Sequence, residues 1–233
     1  FLRDNPYKFF YQYTDPTAPR VNGSLTYAPS MSAGQFGFYA QDKWNVTSQF
    51  NFTLGLRVDI PMFFNRPVVN KAFNTYADTK HFGVHTGDVP NARAMWSPRL
   101  GFNWYVDQAH RTLVRGGVGI FTGRVPFVWI SNAFTNTGVE KKGTTITKSV
   151  PGMANYHQAI QDVITAGAAQ KPEIAVVQKS FKYPQVFRAN LAVEQTLPGN
   201  VKLQLEGIYS KTMNNVFFEN LALTKVGEVY AVP

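Results

Sequence analysis

Residues 50–60, FNFTLGLRVDI, alternate without a break. Phe50, Phe52, Leu54, Leu56, Val58 and Ile60 are apolar, and Asn51, Thr53, Gly55, Arg57 and Asp59 stand between them. Successive side chains of a β-strand leave opposite faces, so a period of two means an extended strand with one oily and one polar side. Soluble strands usually run about five or six residues. This longer stretch matches the roughly 9–11 residues that cross a bilayer as a tilted strand.

The same pattern recurs, always in pairs. Gln35–Trp44 sets Phe36, Phe38, Ala40 and Trp44 against Gln35, Gly37, Tyr39, Gln41 and Lys43, and Asn45–Gln49 turns the chain into Phe50. If Trp44 faces Phe50, Tyr39 covers Gly55, an aromatic over a strand glycine. Trp96–Trp104 and Thr112–Thr122 form a second pair around Asp107 and Gln108. Val186–Leu197 and Val201–Ser210 form a third around Pro198-Gly199-Asn200, where Gly199 suits a positive φ. Hairpins are therefore expected at about 35–60, 96–122 and 186–212. Long connections at about 61–95 and 123–185 separate them. A short helix is predicted near Asn155–Ala166, with weaker strands at Lys8–Tyr13 and Val216–Leu223.

Alternation by itself fits a soluble β-sandwich or a membrane barrel, since each has one apolar face per strand. Strand length and the pairing of short turns with long loops favour the barrel, whose long loops lie outside the cell. Composition agrees. Aromatic residues make up 15% of the 233 residues and charged residues only 16%, against about 25% charged in an ordinary globular domain. Mean hydropathy is −0.20, which alternating strands produce by dilution, and no run reaches the roughly 18 apolar residues of a spanning helix. Without cysteine, disulfide scaffolds and Cys-ligated metal sites are excluded. The net charge of +9 is scattered rather than gathered on one stripe, so nucleic acid is not an expected partner. No leader is legible at Phe1, where Asp4 and Lys8 interrupt any apolar core. The sequence therefore reads as starting in mid-chain or after a removed signal.

The expected fold class is all-β, a segment of an antiparallel transmembrane β-barrel in the outer membrane of a Gram-negative bacterium. Arg57, Asp59, Arg99, Asn103, Arg115, Arg188, Glu194 and Glu206 are expected to face the lumen, with Asp59 and Arg99 as a candidate pair. Trp44, Phe50, Phe52, Trp96, Trp104, Phe187 and Tyr209 are expected on the lipid side and in its aromatic belts. Lys141, Lys142 and Lys148 are candidates for lipopolysaccharide phosphates. His81 and His85, near Asp78 and Asp88, are spaced like metal ligands but read as loop residues. Gly116, Gly117 and Gly119 read as strand glycines, since no GK[ST] follows them. No catalytic set, metal site or cofactor is predicted, and the chain is expected not to be an enzyme.

Three stretches carry a family resemblance. GFYAQDKWNVTSQFNFTLGLRVDIP (37–61), SPRLGFNW (97–104) with LVRGGVGIFTGRVPFVWISN (113–132), and FKYPQVFRANLAVEQTLPGNVKLQLEGIYSKTMNNVFFENL (181–221) resemble, in order, barrel hairpins of TonB-dependent receptors. The last is similar to the Oar-like subgroup, which carries a carboxypeptidase-regulatory-like domain. The resemblance implies a 22-stranded barrel, a plug, a TonB box engaging the TonB complex, and an unknown ligand taken up across the outer membrane. Neither plug nor TonB box is legible here. Six clear strands fall short of the roughly eight of the smallest barrels, so this is expected to be a segment of a larger wall.

Overall fold

The computed structural model describes residues 9–14, 29–124, 127–146, 173–226 and 229–231. Its strands are β1 (Phe9–Thr14), β2 (Ala33–Asn45), β3 (Phe50–Phe63), β4 (Met95–Tyr105), β5 (Thr112–Thr122), β6 (Lys141–Ile146), β7 (Gln185–Thr196), β8 (Lys202–Asn214), β9 (Thr224–Val226) and β10 (Val229–Ala231). Two helices, α1 (Lys71–Thr79) and α2 (Phe127–Thr135), complete the order. The chain divides into two compact units: Phe1–Ser32, Phe63–Pro90 and Pro126–Lys179 in one, and Ala33–Met62, Asn91–Val125 and Ser180–Pro233 in the other.

The second unit holds a six-stranded sheet of order β2-β3-β4-β5-β7-β8. Each expected hairpin is present. β3 and β4, and likewise β5 and β7, also pair antiparallel, joining the hairpins into one up-and-down surface. The strands run 11–14 residues, the spanning length anticipated above. Three short turns close the hairpins. Between β2 and β3, Thr47 Oγ1 accepts from the backbone N–H of Phe50 at 2.9 Å. Between β4 and β5, the Asp107 carboxylate accepts from the N–H groups of Arg111 and Thr112 at 3.0 and 2.7 Å. Between β7 and β8, Gly199 takes the expected positive φ of 81° and Asn200 follows at 59°.

The apolar side of this sheet is open, with Leu54 48%, Leu191 55%, Leu203 60% and Leu205 76% exposed. A β-sandwich would have buried these side chains in its core. Leaving one out of water is worth about 1.5–3 kcal/mol, so a whole face of them requires an apolar solvent. Among the described residues, no helix is long and apolar enough to cross a membrane; the spanning is done by strands.

The long connections carry more structure than their sequences suggested. In the first unit, Asn70 caps α1 by accepting from the Phe73 N–H at 3.0 Å, and Ala77 is fully buried. Val84 and Val89 beyond α1, and Ile130, Ala133 and Phe134 of α2, are buried as well. β6, also in an expected loop, pairs with β1 from Phe9↔Ile146 to Thr14↔Lys141. The anticipated early strand thus exists, in a two-stranded sheet with β6 and not in the six-stranded one. Val216–Leu223 is not a strand; β8 ends at Asn214 and turn and coil follow. The helix expected at Asn155–Ala166 lies outside the described residues.

Candidate functional site

The registers of the sheet place its polar side chains on one face. Arg57, Asp59, Arg99, Asn103 and Arg115 share a side, and the pairing of β5 with β7 and of β7 with β8 brings Arg188, Glu194 and Glu206 to it. Trp44, Phe50, Phe52, Trp96, Trp104, Phe187 and Tyr209 stand on the opposite side. Aromatic contacts cluster near the turns, where Trp44 meets Phe52 edge-on at 4.7 Å and Phe50 lies 6.4 Å from Phe102. The Trp44 indole N–H donates to Asp42, an acid that interrupts the apolar face of β2 at this end. Nearer the long loops, Phe187 and Tyr209 meet at 6.3 Å. Trp96 and Trp104 are separated by about 27 Å along β4 at 3.4 Å per residue. A tilt of about 40° shortens that to about 21 Å, inside the roughly 25 Å apolar band of an outer-membrane barrel.

Two ion pairs and a set of amide contacts organise the charges of the polar face. Arg57 holds Asp59 through two contacts of 2.7 Å, and Gln35 of β2 donates to the same carboxylate at 2.9 Å. Asp59 is thus not paired with Arg99, which corrects the expected pairing. Residues two apart on a strand share a face, so Arg57 reaches Asp59 without crossing the sheet. Arg99 instead lays its stem across its neighbour Gly55, with Cγ 2.8 Å from where a Cβ would stand. The nearest side chain over Gly55 is therefore Arg99 and not Tyr39. Arg115 bonds Glu194 across β5 and β7 at 2.5 Å. Asn103 donates to Asn51 at 3.1 Å. Glu206 accepts from Asn190 at 3.0 Å and from Gln204 at 3.4 Å.

Between these pairs lies a shallow depression of about 430 Å³. Gly101, Gly117 and Gly119 form part of its floor, and Arg99, Arg188, Phe121, Asn190 and Glu206 stand around it. The sequence placed Arg99, Arg188 and Glu206 on this face but did not single out Asn190, Phe121 or Ile208. The run of strand glycines was their available signal, since a floor without side chains creates the hollow.

In the first unit, His85 Nε2 lies 2.6 Å from Asp78 and its Nδ1 3.8 Å from Asp88, which Lys179 also reaches at 3.2 Å. His81 is exposed with a φ of 57° just past α1. The four residues therefore do not gather as one ligand set. Lys141 and Lys142 belong to β6, and Lys148 lies outside the described residues.

A one-layer, up-and-down sheet of spanning strands with one oily and one charged face is the construction of an outer-membrane β-barrel wall. The family described as outer membrane beta barrel domain matches residues 14–226, and the chain belongs to that family. It resides in the outer membrane of a Gram-negative cell. No curated protein and no solved structure matches the chain.

Proposed function

We propose that this barrel wall is part of a TonB-dependent receptor of the Oar-like type, a binding and uptake scaffold rather than an enzyme. In this reading the polar face lines the lumen and connections 61–95 and 123–185 form the outer vestibule. A plug and TonB box elsewhere in the protein couple uptake to the proton gradient. The hairpin sequences that resemble this class support it. So does the polar face, where a depression large enough for a small solute lies beside arginines without carboxylate partners. Lipid contacts the aromatic face, and lipopolysaccharide phosphates meet Lys141 and Lys142 of β6.

Energy coupling tests the reading against a passive surface protein built on the same barrel. Cells expressing the full-length protein are offered culture-medium solutes, and accumulation is compared with and without the TonB complex and a protonophore. Loss of protein-dependent accumulation in both cases is expected. Accumulation that persists without TonB overturns the assignment.

A further inference from the structure

Gly55, Arg99, Gly119, Arg188 and Ser210 lie in one lateral row across β3, β4, β5, β7 and β8. Each arginine therefore has only hydrogen or a small hydroxymethyl group beside it on the polar face. Two strand spacings separate Arg99 from Arg188, about 10 Å between Cα atoms. Arg99 folds its stem over Gly55 while its Cβ stands 3.1 Å from where a Cβ of Gly119 would be, and Gly117 and Gly119, lacking side chains of their own, line the depression. Phe121 borders it on the loop side, and Asn190, whose Oδ1 is 3.4 Å from the Cβ position of Gly117, borders it on the turn side.

The carboxylates of this face are otherwise engaged: Asp59 by Arg57, Glu194 by Arg115, and Glu206 by Asn190 and Gln204. Among the described residues, the guanidinium group of neither Arg99 nor Arg188 has an ion-pair or hydrogen-bond partner. Two fork-shaped cations over an open floor suit a planar or tetrahedral oxyanion, which guanidinium groups bind through paired hydrogen bonds. An aromatic edge beside them suits an apolar body. A hollow of about 430 Å³ falls within the roughly 300–1,000 Å³ range of small-molecule sites.

We propose that this depression is a binding site for small amphiphilic anions. A carboxylate or phosphate is held by Arg188 and by Arg99 once its guanidinium swings back from Gly55, and its apolar part lies against Phe121. The proposal rests on the polar face being the lumen wall, but not on TonB coupling.

The test is calorimetric titration of the full-length, detergent-purified protein with phenyl phosphate, phenylacetate, inorganic phosphate and benzyl alcohol. Phenyl phosphate or phenylacetate should bind, whichever oxyanion is preferred, and benzyl alcohol should not. Arg99→Gln and Arg188→Gln should each weaken the bound anion about tenfold, as expected when a charged hydrogen bond is lost. Phe121→Ala should remove the advantage of phenyl phosphate over inorganic phosphate, while Lys202→Gln, on the same face near the turn, should change nothing. Arg99→Lys keeps the charge but loses the fork, and it substitutes where Arg99→Gln fails to fold. Absence of binding overturns the site, including when an acidic segment of the same protein fills it. So does binding indifferent to both arginines, or weakened equally by Lys202→Gln. Binding without TonB-dependent uptake would uphold the site and remove the receptor assignment; the reverse would do the opposite.

Discussion

Phe102 lies directly opposite Gly116, and its ring occupies the space a side chain there would need, with Cε1 2.8 Å from the Cβ position. The Asn190 carbonyl oxygen crowds the same point at 2.9 Å. Phe102 can turn away, but a backbone carbonyl moves only with its strand. Gly116→Ala should therefore strain the β5–β7 ladder by about 1–3 kcal/mol, the usual cost of overpacking. Urea unfolding in lipid vesicles measures this, and an unchanged midpoint would contradict the geometry.

Leu54 and Thr53 are adjacent in sequence and belong to opposite faces of β3. An arginine at the bilayer midplane of a barrel costs about 2–4 kcal/mol on the lipid side, while interior positions tolerate charge. Leu54→Arg is expected to show that loss in vesicle refolding, and Thr53→Arg little change. Equal effects from the two substitutions would remove the face assignment.

Asp59 is almost fully buried, at 2% exposure, and its ion pair with Arg57 depends on its charge. Asp59→Asn leaves Arg57 without its counter-ion, so the unfolding midpoint should fall by roughly 2–4 °C. Removing Arg57 as well, in Arg57→Met/Asp59→Asn, should recover part of that loss. Additive losses in the double variant would show that the pair is not energetically coupled.

The turn between β4 and β5 carries a pH dependence. The Arg111 N–H, foremost, and those of Thr112 and Ala109 hold the Asp107 carboxyl below the usual carboxylate range, against a smaller opposing effect of burial. A group whose folded pKa is depressed stabilises the fold above its unfolded value, about 3.9, and loses that contribution as pH falls through the folded value. Protection of the Arg111 and Thr112 amides from exchange, relative to their intrinsic rates at each pH, should thus hold from neutrality to about pH 4 and fall below it. In Asp107→Asn the acid-dependent step should vanish. Its persistence would assign it to another group.

Period-two alternation is a local property, and the sequence alone was enough to sort nearly every strand residue onto its face. The same holds for the turns, since Pro198-Gly199-Asn200 carries its own backbone preferences. The cap of α1 was legible in principle, with Asn70 ahead of Phe73, Tyr76 and Ala77 at helical spacing, yet the polar residues around it read as loop. α2 and β6 depend on packing and pairing with distant segments, which no window of sequence displays. Partner choice within the polar face was decided by tertiary structure. Gln35 reaches Asp59 because β2 lies beside β3, and Arg99 covers Gly55 because the β3–β4 register puts them opposite. The alternating row of glycine and arginine, with the hollow beside it, needs three independent strand registers to coincide. Faces follow from the chain's own geometry, whereas neighbours across strands follow from how separate stretches of chain come to lie together.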